Sequence, residues 1–126
     1  MYITKEQLEN IIYLSSIQNI SKDDKKELHS YLTQLDYKAI LDLEALMVYG
    51  RELNSYGGID ELQTWIREHR SNRIDLLSPT KRFETLRNDF ARSYPSPDGK
   101  SDAVSYIHGK SILNHYLYYA MDALNI

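Results

Sequence analysis

Asp36-Tyr-Lys-Ala-Ile-Leu-Asp-Leu-Glu-Ala-Leu-Met-Val-Tyr-Gly50 is the stretch whose reading decides the fold. It is long enough for about four helical turns, and between Ala39 and Tyr49 only Asp42 and Glu44 carry charge. At helical spacing Ile40, Leu43, Leu46, Met47 and Gly50 share one stripe, while Leu41, Ala45 and Val48 fill much of the opposite side. A helix apolar nearly all round is the buried element of a domain. Asp36 has the side chain of an N-cap, and Gly50 reads as the C-terminal stop, which sets the helix at about 37–49.

On the N-terminal side of this stretch, Thr4 and Gln7 form a capping box, followed by Leu8, Ile11, Ile12 and Ser15 at helical spacing, so a first helix runs from Lys5 to about Gln18. Ser21, with Asp24 at the reciprocal position, starts a second helix whose buried stripe is Leu28, Tyr31, Leu32 and Leu35. Beyond Gly50 the chain reads as a loop to Gly58, marked by Asn54, Ser55 and Gly57-Gly58. A helix over Ile59 to Arg70 then buries Ile59, Leu62, Trp65, Ile66 and His69. Ser71-Asn-Arg73 is a break, after which Ile74, Leu76 and Leu77 dock on the core. Ser78-Pro79 starts a fifth helix striped by Phe83, Leu86 and Phe90, with a capping hydroxyl and then proline at the first helical position. Tyr94-Pro-Ser-Pro-Asp-Gly-Lys100 is a loop; a short helix runs from Ser101 to Gly109, and Ser111 caps the last one, Ile112 to about Leu124. No alternating run long enough for a strand occurs, nor an internal repeat. The expectation is an all-α, compact orthogonal bundle of six to seven helices in one domain, 1–126.

Composition narrows the chemistry. The 126 residues are 42% hydrophobic and 26% charged, ordinary for a globular chain with a real core. Eighteen acids against 15 bases give a formal charge of -3, which argues against a dedicated nucleic-acid or anionic-membrane binder. With no cysteine, disulfides, thiolate catalysis and cysteine-based metal sites are excluded. No run is apolar enough to span a bilayer, and the first residues lack a basic region followed by an apolar one, so a cytoplasmic protein is expected. Eleven tyrosines against two phenylalanines stand out, because a phenol suits half-buried positions and contact surfaces alike.

Two stretches resemble a known family. Leu32-Thr-Gln-Leu-Asp-Tyr-Lys-Ala-Ile-Leu-Asp-Leu-Glu-Ala-Leu-Met-Val-Tyr-Gly-Arg51 is similar to a central motif in which an acid-initiated helix ends in Ala-Leu-Met and then Gly-Arg. Ala103-Val-Ser-Tyr-Ile-His-Gly-Lys-Ser-Ile-Leu-Asn-His-Tyr-Leu-Tyr-Tyr-Ala-Met-Asp-Ala-Leu124 is similar to a closing Ala-x-x-Tyr-Leu-x-Gly-x-x-Leu-Leu-x-x-Tyr-Leu motif, and Trp65 falls where a tryptophan follows the Gly-Arg loop. The family is the small bacterial set catalogued as domain of unknown function 3775. The resemblance implies a helical fold and a bacterial origin, and it implies no established activity. Between Arg70 and Ser101 this chain departs from the pattern, with an extra helix.

Candidate sites are sparse. His29, His69, His108 and His115 make no His-x-x-x-His or Glu-x-x-His pair, so no metal site and no cofactor is expected. Asp23-Asp24 and Asp60-Glu61 lie at helix starts, where the dipole accounts for them. Asp42 and Glu44 are read as facing a remaining solvent gap, with Arg51 as a partner if either is buried. There is no Gly-x-Ser-x-Gly elbow, and Gly57-Gly58 lacks the ending of a phosphate loop, so no catalytic residue is assigned. Between residues 67 and 92, Arg67, Arg70, Arg73, Lys81, Arg82, Arg87 and Arg92 face only Glu68, Asp75, Glu84 and Asp89, a balance of +3, while residues 1–50 carry five bases against eight acids, or -3. Arg67, Arg70, Arg73, Lys81 and Arg82 are therefore a candidate basic patch. On the last helix Leu113, Leu117, Ala120 and Leu124 suffice for docking, and Ile112, Tyr116 and Tyr119 form a second stripe. Either the helix sits deep between neighbours, or the second stripe is a partner-binding surface for another protein or for self-association. The reading is a non-catalytic macromolecule-binding or regulatory domain. The alternative is a nucleic-acid-associated regulator using the 67–92 segment, and a third class is a small enzyme assembled from Asp42, His69 and Arg51.

Overall fold

Helix α1 (Lys5–Ile17) opens on the capping box read from the sequence. The Gln7 N–H donates to Thr4 Oγ1 at 3.1 Å and the Thr4 N–H to Gln7 Oε1 at 3.0 Å, so two otherwise orphaned amides are satisfied reciprocally. The computed structural model describes residues 1–17, 22–110 and 112–126, and of Ile74 the backbone alone. The expected caps at Ser21 and Ser111, and the end of the first helix at Gln18, lie outside the described residues. Helix α2 (Lys22–Gln34) follows, with Asp23 and Asp24 in its first turn; Leu28, Leu32 and the following Leu35 are buried, and Tyr31 is half-buried.

The central helix α3 (Tyr37–Tyr56) is buried at every position from Ala39 to Gly50 except the half-buried Val48. It is longer than the sequence pattern predicts. Gly50 does not end it; Arg51 to Tyr56, expected as a loop, add further turns with Leu53 fully buried on the core side. The stop is Gly57, at φ 90°, whose N–H bonds the Asn54 carbonyl while the Gly58 N–H bonds that of Leu53. This double closure needs a left-handed residue, which glycine adopts without a Cβ penalty. Gly50 instead makes room for a neighbouring helix, since a Cβ placed there would overlap the backbone carbonyl of Tyr116. Asp36 stands at the N-cap position with extended backbone, but its side chain makes no capping hydrogen bond.

Helix α4 (Ile59–His69) buries Leu62 and Ile66, keeps Ile59 and Trp65 half-buried, and leaves His69 exposed rather than in the core. A 3-10 turn, Ile74–Leu77, packs Leu76 and Leu77 against the core. Helix α5 (Pro79–Ser93) starts as expected, with the Lys81 N–H donating to Ser78 Oγ at 3.3 Å. The loop after it contains a 3-10 turn, Pro97–Gly99, leading into α6 (Lys100–His108). Helix α7 (Leu113–Leu124) ends on Asn125 in the left-handed region at φ 57°. Among the described residues no strand occurs, and seven α-helices form an all-helical bundle.

Packing follows from α3. Helices α4, α5, α6 and α7 all lie on it, α1 bridges α2 and α7, and α2 also meets α6. Met47, Leu43, Leu46 and Leu53 thus share one continuous core with Leu8, Ile11, Leu28, Leu86, Ile107, Leu113 and Leu117. No helix among the described residues is long and apolar enough to cross a membrane.

Candidate functional site

The two acids of α3 correct the sequence reading. Both are buried, and neither uses Arg51, which instead donates to the Tyr106 hydroxyl at 3.2 Å. Asp42 is fully paired: its Oδ1 accepts from Arg87 Nε at 2.7 Å, and its Oδ2 accepts the backbone N–H groups of Tyr2 and Ile3, the latter at 3.0 Å. These charge-assisted bonds replace the water that burial removes. They also pin the N-terminal segment over α3, with the Tyr2 ring facing two cations, Lys38 at 4.9 Å and Arg87 at 5.2 Å. Asp42 is therefore an anchor.

Glu44 lies two residues on and is treated differently. Its Oε2 is buried with no hydrogen-bond partner among the described residues. Loss of hydration, with nothing to offset it, pushes the carboxyl up to about 7. The Tyr94 phenol is raised in turn, by its own burial first and by the charge of Glu44 next. Tyr94 itself is held by its carbonyl, which accepts the Tyr37 hydroxyl.

The last helix turns one tyrosine outward that the two stripes did not single out. Tyr116 and Tyr119 are half-buried against the core, and Ile112, just before the helix, is 39% exposed. Tyr118 is 69% exposed. It lines a hollow of about 420 Å³ with Ile12 of α1 and with Asn114, His115 and Tyr119 of its own helix. Tyr13, next to Ile12, is 64% exposed. The backbone of Tyr116 lies against α3 where Gly50 has no side chain, so this part of α7 sits close on the central helix. The signal available in the sequence was the width of the stripe together with the Tyr118-Tyr119 pair, since adjacent helical residues point in different directions.

The basic segment is split by the fold. Arg87 is consumed by Asp42, and Arg92 pairs with Asp89. Arg67 is exposed on α4. Arg70, Arg73 and Arg82 come together at a hollow of about 310 Å³ between α3, α4 and α5, walled by Tyr56 and Trp65 and entered by Glu52. Lys81 lines a second hollow of about 230 Å³ that shares Arg73, Leu76 and Arg82 with the first. Arg82 Nε bonds Glu52 at 2.9 Å, and Arg73 grips Asp75 through two bonds of 3.1 Å, which hold the Asp75 carboxyl below its usual range. The Trp65 ring stacks on His69 at 4.9 Å, tilts against Tyr56 at 5.2 Å and lies 6.0 Å from the Arg70 guanidinium carbon. Glu52 and Tyr56 belong to the part of α3 read as loop, so their place here was not visible in the sequence.

Of the remaining histidines, His29 and His108 tie elements together, and His115 faces outward. His108 closes α6, meets the His29 ring edge-on at 5.3 Å and bonds the Lys25 carbonyl at 2.9 Å, tying α6 to α2; His115 is exposed on α7. Among the described residues no three histidine or carboxylate groups are placed to hold a metal ion. Asp42, His69 and Arg51, the dispersed enzyme set, have separate partners in Arg87, Trp65 and Tyr106. No protein-family model, no curated protein and no solved structure matches this chain.

Proposed function

We propose that this chain is a non-catalytic, cytoplasmic domain that binds another protein through the face shared by α1 and α7. The observation that carries the reading is the hollow between those helices, walled by Ile12 and Tyr119 and rimmed by an exposed Tyr118 and by His115. A ring held on a helix, with its apolar body outside the core, is a low-entropy anchor of the kind that dominates contact energies. Its neighbour Tyr119 is the inner wall, and its contribution is to fold and contact together. We also propose kinship with the family of domain of unknown function 3775. The two motif stretches that carry the likeness cover α3 as far as Arg51 and, with most of α6, all of α7, and α3 and α7 pack on each other at Gly50 and Tyr116.

The test is a pair of variants and a crosslink. Tyr118→Glu keeps its melting temperature, because the ring is already in water, and loses the association. Tyr119→Glu loses stability as well, because it brings a charge against the core. A photoreactive residue at position 118 captures one defined protein in the native host, whereas the same group at Ser93, exposed at the end of α5 and away from this face, does not. Capture of a second copy of this chain identifies self-association as the contact. Equal, diffuse labelling from both positions ends the reading.

A further inference from the structure

The two hollows that meet at Arg73, Leu76 and Arg82 form one groove, and its walls are of two kinds. The inner wall is apolar: Leu62 and Ile66 of α4, the Trp65 and Tyr56 rings, and Leu76 from the 3-10 turn. The rim is cationic: Arg70, Arg73, Arg82 and, further along, Lys81. Three carboxylates interrupt it, Glu52 on Arg82, Asp75 on Arg73, and Glu84 in the second hollow. We propose that this groove binds an acidic peptide segment carrying an apolar side chain between its carboxylates. This inference does not depend on the α1–α7 reading, and it uses a different face.

Each part of the groove has a counterpart in such a ligand. Arginine presents a planar fork of donors that matches a carboxylate, and its weak hydration makes it the cation that gives up water at contacts. Asp75 takes the Nε and Nη2 donors of Arg73 and Glu52 takes Nε of Arg82, so both guanidiniums are fixed in place and an incoming carboxylate is met by their other N–H groups and by Arg70. The apolar wall beneath, with aromatic side chains, takes the intervening side chain. The combination of tryptophan, tyrosine and arginine is the one enriched where binding energy concentrates. A polynucleotide fits less well. Its backbone brings a phosphate at every nucleotide and draws its affinity from an unbroken run of cations, whereas this rim alternates in sign on a chain whose formal charge is -3. A peptide can leave its own carboxylates out where Glu52, Asp75 and Glu84 stand.

Trp65 is the single tryptophan of the chain, so its fluorescence reports on this groove alone. The probe is a capped peptide of glutamates with one central leucine, titrated at low ionic strength. Controls are the same peptide with lysine for glutamate and a single-stranded oligonucleotide of equal charge. The expected result is a saturable change in Trp65 emission with the acidic peptide only, weakened by added salt. Arg70→Gln combined with Arg73→Gln should lower the affinity by about tenfold or more. Both side chains are exposed, so the melting temperature should not move. Absence of a saturable response, tighter binding of the oligonucleotide, or an affinity untouched by the double substitution would each overturn the proposal.

Discussion

Glu44 gives this domain a stability that depends on pH in a defined direction. Its carboxyl is buried with an oxygen that has no partner among the described residues, and it is raised from an ordinary 4.5 to about 7. Folding therefore favours the protonated form. Because the folded value lies above the unfolded one, the native state is relatively favoured below pH 4.5, and the advantage is lost as pH rises to about 7. Each unit of that window is worth about 1.4 kcal/mol, so the whole shift amounts to about 3 kcal/mol. Glu44→Gln keeps the shape and removes the titration. The amide has its own cost in the core, the same at every pH, so the informative quantity is the difference between variant and wild type. Urea melts of both proteins from pH 4.5 to pH 8 should show the variant gaining about 3 kcal/mol relative to wild type across the series. A difference constant to within about 0.5 kcal/mol would refute the argument, because it would mean that Glu44 titrates alike in the folded and unfolded chain.

Other outcomes follow from the same core. Met47→Ala, at the buried centre of α3, should cost about 2–5 kcal/mol in denaturant melts, and a cost below about 0.5 kcal/mol would place the helix at the surface. Gly50→Ala sets two effects against each other: about 1 kcal/mol of helix propensity gained and a Cβ driven into the Tyr116 backbone. Sterics should win, with a net loss of about 1–3 kcal/mol by thermal melt, and a raised melting temperature would show that α7 can move aside. Asp42→Ala strips Arg87 and the Tyr2 and Ile3 amides of their acceptor at once, and should cost about 3–5 kcal/mol. Unchanged stability would mean that water serves these groups equally well.

Much of this architecture is local enough to read from residues. The capping box at Thr4 and Gln7, the Ser78-Pro79 start and the stripes of α2 and α5 each depend on neighbours within a few positions. What escaped the sequence involved distant partners. Glycine reads as a stop because it is a poor helix former and a good left-handed cap, yet at Gly50 it serves a helix 66 residues away, as the approach of Tyr116 requires. The acids of α3 read as solvent-facing, with nearby Arg51 as the partner in reserve, while the actual partner of Asp42, Arg87, stands 45 residues on. Misplacing the end of α3 also hid Glu52 and Tyr56, and with them part of the lining of the basic groove. The cations themselves could be named, but their apolar wall belongs to three elements.

The contact between Gly50 and Tyr116 has a consequence for the order in which the chain can fold. A ribosome delivers α3 early, but one side of it stays uncovered until synthesis has passed α7. Before then Ala45, Leu46 and Met47 belong to a helix with no complete set of neighbours, and such surfaces associate with one another or with chaperones. Helices α1 and α2, which pack on each other, can form a hairpin during this interval, but α1 also waits for α7. Closing the loop between α3 and α7 is the long-range step that the local contacts must precede. Translation pauses placed between residues 57 and 112 would therefore lengthen the vulnerable period, and pauses before residue 37 would not.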